Sequence, residues 1–318
     1  MMYPGYITDV DGIKVGHGQS EEGMTGCTAV ICEKGATGGV DVRGCAPGTR
    51  ETDLLKPENT VDKIHAVVLS GGSAFGLEAA SGVMNYLEEN DIGFDTGITK
   101  VPIVASAVIF DLNVGDHRIR PDFKMGYEAA KSASIDEKRQ GNVGCGMGAT
   151  VGKILGPANA MKSGLGSATV RAGNLVVSAI VAVNSFGDIF DYESAKQIAG
   201  VYDYEKKEML NTYSIMKSQL RPAAFPMNNT TIAVVATNAI LTKAEANKLA
   251  SMAHNGFARS INPVHTMLDG DTIFAMATNE IHCDLSLAGT MAAEAISRSI
   301  TNALTSARPC HGMIACSP

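Results

Sequence analysis

The sequence predicts an α/β fold in which helices cover both faces of a mostly buried sheet. Four apolar runs, at 28–32, 64–69, 101–109 and 175–183, are β-branched and nearly continuous rather than alternating. That is the pattern of strands covered on both sides. Glycine clusters flank these runs, with GATGG at 35–39, GG at 71–72 and GNVGCGMGATVG at 141–152. Segments with helical periodicity supply the covering layers.

Along the chain, strands 28–32 and 64–69 lead through Gly71 and Gly72 into a helix over 73–89. There Phe75, Ala79, Ala80, Val83, Met84 and Leu87 recur at helical spacing before the acidic EEND segment. Strands 101–109 and 175–183 follow. Residues 187–226 are more polar, with the charged run DYEKKE and with Pro222 and Pro226 bracketing AAF; they read as a surface excursion or linker. A strand then opens at 231–236, and Thr242 with Glu245 forms a capping box for a helix running to Ala253. A strand over 272–277 and an alanine-rich helix over 284–307 close the chain. No internal repeat is evident.

With 318 residues, 45% hydrophobic and 19% charged, the chain can bury a substantial core, which excludes general disorder and predicts one or two domains. Its longest apolar stretch, 175–183, contains Ser178 and stops at Asn184, short of the roughly 20 residues of a membrane-spanning helix. The N-terminal MMYPGYITDV has no basic cluster followed by an apolar stretch, so the expected location is cytoplasmic. Seven cysteines at irregular spacing, without a CxxC pair, read as reduced and mostly structural thiols. A formal charge of -7 without a basic cluster disfavours nucleic acid as a partner. None of the seven histidines forms HExxH or a spaced pair with cysteine, so each reads as structural or solvent-facing, and no metal or other cofactor is expected.

Several partial motifs fail on their own chemistry. GGSAFG at 71–76 is followed by Leu77 and Glu78 where a phosphate loop needs Lys and a hydroxyl. GATVGK at 148–153 is one residue short in its glycine spacing and has Ile154 in the hydroxyl position. Ser73 occupies a strand-to-helix turn, but Phe75 stands where a nucleophile elbow needs glycine, so a tight turn is favoured. The Asp269-Gly270-Asp271 start of a calcium loop collapses at Ile273. The glycosylation sequons at Asn228 and Asn229 carry no meaning without secretion.

Asn229-Thr230 lies where the polar segment meets a buried strand, a place where cleavage would leave a hydroxyl nucleophile carrying its own base. A threonine hydroxyl is weak alone, but a free α-amino group, with an unperturbed pKa of roughly 7.7–8.0, can accept its proton. That amine exists only after the chain is cut. Thr230 is therefore a candidate for attack on the Asn229 carbonyl, an N-to-O acyl shift and hydrolysis into 1–229 and 230–318; the alternative is an ordinary threonine at a strand start.

GYITDVDGIKVGHG at 5–18, RGCAPGTRETDLL at 43–55, HAVVLSGGSAFGLEAASGV at 65–83, GMGATVGK at 146–153, NNTTIAVVATNAIL at 228–241 and HTMLDGDTIFAMAT at 265–278 together resemble the DmpA-type peptidase family. That family holds L-aminopeptidase/D-esterases, β-peptidyl aminopeptidases and nylon-oligomer hydrolases. The resemblance implies one domain spanning 1–318 with an αββα four-layer sandwich similar to N-terminal-nucleophile hydrolases, and self-cleavage between Asn229 and Thr230. It also implies a homo-oligomer, a tetramer or larger, acting on a small amide or peptide without a cofactor.

By the same resemblance, Thr230 falls on the nucleophile, and the Asn-Thr junction is closer to the nylon-oligomer hydrolase branch than to the Gly-Ser junction of the aminopeptidases. Asp269 and Asp271 fall on the acidic pair of that branch and would orient and polarise the Thr230 amine and hydroxyl; otherwise they read as an Asp-Gly turn. Lys153 matches a site lysine, a cation that could lower the nucleophile's pKa or bind the developing oxyanion; otherwise it is an exposed loop lysine. Asn184 matches an asparagine whose amide donates to the oxyanion. Phe110 stands where relatives often have tyrosine, so a hydroxyl is missing. Cys45 replaces a small residue such as glycine and reads as packed, without a role, while Arg50 and Glu51 read as a buried structural pair.

The reading is a self-processed amide hydrolase with an acyl-enzyme on Thr230. Two rivals use the same fold: an uncleaved binding or regulatory protein, and an acyltransferase in which an amine replaces water.

Overall fold

The computed structural model describes residues 2–219 and 229–316. Its first strands form an antiparallel hairpin, β1 (Ile13–Ser20) and β2 (Thr25–Val42). The first half of β2 also pairs with β3 (Lys63–Ser70), which runs parallel to β4 (Val104–Val108); the short strand Thr49–Arg50 edges β4. A second group consists of the hairpin β5 (Leu165–Ala172) and β6 (Leu175–Ala182), then β7 (Ile232–Ala239) and β8 (Thr272–Ile281). β7 is antiparallel to β6 and parallel to β8, and β8 pairs with the second half of β2. β2 thus links both groups, and its register against β3 shifts between Ile31 and Ala36, where Gly35 takes φ +74°.

Side-chain alternation divides the molecule into four layers. Val30, Val67 and Leu69 of the first group pack with Ile180, Val234, Phe274 and Met276 of the second, so the sheet halves face each other. Their neighbours Ala29, Ala66 and Val68 point outward onto α1 (Ala79–Glu89) and α2 (Phe123–Lys131). Val181, Val235 and Ala275 point the other way, onto α3 (Lys243–Ser260) and α4 (Leu285–Ser306). Successive residues such as Val234 and Val235 therefore bury in different layers, each contributing about 1.5–3 kcal/mol. That arrangement explains why the strands read as continuous apolar runs.

The expected capping box is formed: Thr242 Oγ accepts the Glu245 N–H at 3.3 Å and the Glu245 carboxylate accepts the Thr242 N–H at 2.8 Å. α3 continues to Ser260, beyond the expected end at Ala253. Asp284 caps α4 by accepting the Leu287 N–H at 2.9 Å. Among the described residues no helix is long and apolar enough to cross a membrane.

Three readings of organisation are corrected. The strand expected at 28–32 is part of the longer β2, because Gly35 lets the backbone pass through the glycine cluster without ending the strand. The run 101–109 is broken: Lys100–Val101 pairs with Phe94–Asp95, and only Val104–Val108 enters the large sheet. Pro102 has no N–H to continue the ladder. The described part of 187–226 is structured, with strand Asp188–Phe190 between Gln197–Ala199 and Ile261–Asn262. It folds inward because the buried Asp188 carboxylate accepts Thr212 N–H at 2.6 Å, Thr212 Oγ–H at 2.7 Å and Val201 N–H at 3.0 Å. Pro222 and Pro226 lie outside the described residues.

Candidate active site

Strand register assembles the site. Ala182 of β6 lies opposite Ile232 of β7, so two residues further out Asn184 faces Thr230, and the Thr230 N–H donates to the Asn184 carbonyl at 2.9 Å. β8 is parallel to β7 with Ile232 beside Thr272, which brings the approach to β8 alongside the approach to β7. Asn229 forms a bridge with Asp269, and the Gly270 N–H donates to the Asn229 carbonyl at 3.1 Å. Thr230 Oγ is hydrogen-bonded to that same carbonyl oxygen. Hydroxyl, preceding carbonyl and a main-chain donor therefore converge on one peptide bond.

All five residues singled out from the sequence, Thr230, Asn184, Lys153, Asp269 and Asp271, are buried around this point. Lys153 is not the exposed loop lysine of the plain reading: its Nζ donates to Asn184 Oδ1 at 2.6 Å and to the Asn184 carbonyl at 3.1 Å. Asn184 Oδ1 also accepts the Thr150 N–H at 3.1 Å, and its Nδ2 donates to the Phe110 carbonyl at 3.0 Å. Asp269 accepts Thr266 N–H at 2.8 Å and Thr266 Oγ–H at 2.6 Å. Asp271 accepts the N–H of Thr231, one residue beyond the expected contact, at 2.7 Å.

Burial shapes the electrostatics. It pushes the Asp269 carboxyl up to about 6, with the neighbouring Asp271 charge adding to the effect. It pulls the Lys153 ammonium down to about 7, against the opposing fields of Asp269 and Asp111. Desolvation disfavours each charge; the two carboxylates partly restore that of Lys153, and hydrogen bonds from Thr266 partly restore that of Asp269. The buried carboxyl of Asp111 is likewise pushed up to about 6 by burial and accepts Thr25 Oγ–H at 2.7 Å and Gly72 N–H at 2.6 Å. It holds the turn at Gly72 and Ser73, whose φ values are +77° and +55°.

Thr230 opens onto a cavity of about 130 Å³ whose lining includes Pro47, Ser73, Ile109 and Phe110. Ser73 thus belongs to the wall of the cavity beside Thr230, beyond its reading as a turn alone. Gly270 has structural weight of its own: a Cβ there would sit 2.8 Å from Thr230 Oγ and 2.6 Å from the Ala46 carbonyl oxygen. His265 is a further addition, since its Nδ1 lies 2.8 Å from Asp271 Oδ2. Its place in HTMLDGD was the available signal. Two other readings are corrected. Arg50 donates to Ser81 at 2.8 Å while Glu51 is exposed at φ +61°, so they form no buried pair, and Cys45 is exposed rather than packed. The turn at Glu51 points its side chain outward. Among the described residues no group of three or more His, Cys, Asp or Glu side chains is placed to hold a metal ion.

The family model for peptidase family S58 matches residues 5–315. An uncharacterised aminopeptidase of Mycobacterium leprae (strain TN) is 41% identical over 296 residues, covering 86% of this chain and 79% of its own. A 6-aminohexanoate-oligomer endohydrolase of Kocuria sp. (strain KY2) is 34% identical over 276 residues, covering 86% and 75% respectively. In structure the chain is similar to the L-aminopeptidase D-Ala-esterase/amidase of Ochrobactrum anthropi, described as a variant of the Ntn hydrolase fold. The TM-score is 0.74 at 18% identity, over 96% of this chain and 88% of that one. A Burkholderia β-aminopeptidase gives 0.69 at 21% identity over 99% and 91%. The four-layer αββα arrangement agrees with that fold, and a family match running almost from end to end settles the assignment: the chain belongs to peptidase family S58 and is an amide-bond hydrolase.

Proposed function

We propose that this hydrolase matures by cutting itself between Asn229 and Thr230 and then works through an acyl-enzyme on Thr230. The observation that carries the reading is the contact of Thr230 Oγ with the Asn229 carbonyl while Gly270 N–H donates to that carbonyl oxygen at 3.1 Å. In the acyl shift a bond forms between Oγ and the Asn229 carbonyl carbon, the carbon–nitrogen bond breaks, and the Oγ proton ends on the Thr230 nitrogen. Water then hydrolyses the ester, releasing the Asn229 carboxylate and the Thr230 hydroxyl. Negative charge develops on the Asn229 oxygen during the shift, where a donor is already aimed. One such donor is worth roughly 3 kcal/mol of barrier.

In turnover the same hydroxyl attacks a substrate amide, and the new α-amine takes its proton and passes it to the leaving amine. Asn184 and Lys153 stabilise the oxyanion, while Asp269 and Asp271 fix the segment beside the amine. The single domain 1–318 becomes chains 1–229 and 230–318. Substrates are short amides with an accessible amine, such as the N-terminal residues of small peptides or linear amino-acid oligomers. The names of the aminopeptidase and oligomer-hydrolase relatives and the small cavity at Thr230 support this range. The enzyme works as a homo-oligomer, a tetramer or larger, which light scattering would measure directly.

The test is a substrate panel assayed with wild type and Thr230→Ala. Wild type should release amine from short amides, and Thr230→Ala should be inactive. An active Thr230→Ala variant overturns the mechanism. Wild type without turnover supports the uncleaved binding protein, and product transferred to added amines in preference to water supports acyl transfer.

A further inference from the structure

Asp271 is buried and held entirely by nitrogen donors. Oδ1 accepts the Thr231 N–H at 2.7 Å, while Oδ2 accepts the main-chain N–H of His265 at 3.2 Å and faces its Nδ1 at 2.8 Å. A carboxylate beside a ring nitrogen at this distance requires the hydrogen on Nδ1, which fixes the tautomer. His265 takes φ +55°, a left-handed backbone that few residues with side chains adopt and that brings its N–H and Nδ1 onto one oxygen.

The ring is braced from α3. His254 packs against it with centroids 4.8 Å apart, and Phe257 lies 6.1 Å away. His254 is anchored in turn through Nε2 to the Asp41 carbonyl at 2.9 Å, at the end of β2. Burial lowers the His254 pKa to about 4, so the brace is uncharged at neutral pH. A chain of contacts thus runs from α3 through His254, His265 and Asp271 to the first peptide after Thr230. The reaction as described above does not use His265.

We infer that His265 is a positioning residue: it clamps Asp271 Oδ2 so that Oδ1 stays on the Thr231 N–H and holds Thr230 in register with Asp269 and Gly270. The inference rests on the reading of Thr230 as a self-generated nucleophile, and its test separates the two. His265→Asn retains a side-chain donor and His265→Gly does not, while both residues accept the left-handed backbone. Loss of a hydrogen bond to a charged group typically costs about 10–100-fold. In His265→Gly, maturation followed by intact mass and kcat should both fall about that much, with KM little changed and the folded circular dichroism spectrum kept. His265→Asn should recover most of the loss. Wild-type rates in the Gly variant, or equal loss in both variants, overturn the inference. A long-range proton–nitrogen spectrum of wild type provides a readout independent of cleavage. Hydrogen on Nδ1 of His265 is expected, and hydrogen on Nε2 alone overturns the clamp even where Thr230 matures normally. If wild type never cleaves, the Thr230 reading fails and the spectrum still decides the clamp.

Discussion

Burial moves the Asp269 and Lys153 pKa values toward each other, from opposite sides, to about 6 and about 7. The carboxylate is charged above the first value and the ammonium below the second, so both charges coexist in a narrow window. In the proposed turnover the Lys153 ammonium supports the oxyanion and the Asp269 carboxylate sustains the ammonium, so kcat should trace a bell between these limbs. Asp269→Asn removes a charge that raises the Lys153 pKa, so the alkaline limb should move to lower pH. Steady-state kcat measured across pH would check this, and an unmoved alkaline limb would contradict the pairing. Gly270→Ala should slow maturation at least tenfold, since its Cβ would crowd both Thr230 Oγ and the fixed Ala46 carbonyl; a time course on the folded variant measures it. Of the five residues named from the sequence, the types and motif positions were legible there. Burial of Lys153 was not, because a lysine in a glycine-rich loop carries no local sign of being covered. The contacts of Gly270 and His265 were equally hidden, being made by tertiary register.

At the scale of elements, the loop that carries Lys153 depends on another buried lysine. Lys162 is fully buried, and its Nζ donates to the carbonyls of Gly146 at 3.0 Å and Ala149 at 2.9 Å, and also to that of Ser163. Burial lowers its pKa to about 8, which still leaves it mostly protonated at neutral pH. The ammonium ties the first half of the GMGATVGK segment to the short strand Met161–Lys162. Lys162→Met would leave these carbonyls without their donor and should cost about 2–4 kcal/mol of unfolding free energy. Denaturant titration measures it, and an unchanged midpoint would mean the cage carries no stability. Strands such as β6 and β7 were legible because both faces are apolar. The strand Asp188–Phe190 was not, since its polar Asp188 is buried on bonds to Thr212 and Val201, distant in sequence.

For the whole molecule, the proposed cut divides the chain without dividing the fold. β7 and β8 belong to the segment after Thr230, yet β7 pairs with β6 and β8 with β2, both from the segment before it. α4 likewise packs on β5 and β6, and α3 on β2, as well as on their own strands. The two products should therefore remain together through native chromatography and separate only on denaturation. Dissociation of intact products under native conditions would contradict this interleaving. The four layers were legible from patterning joined to the family resemblance. The passage of β2 from one sheet half to the other was not, because it depends on one glycine at positive φ.

The most direct test is the intact mass of purified wild type beside Thr230→Ala, with N-terminal sequencing of each product. The account predicts two wild-type chains, the second beginning at Thr230, and one uncut chain for the variant. Active wild-type enzyme that remains a single chain would contradict it.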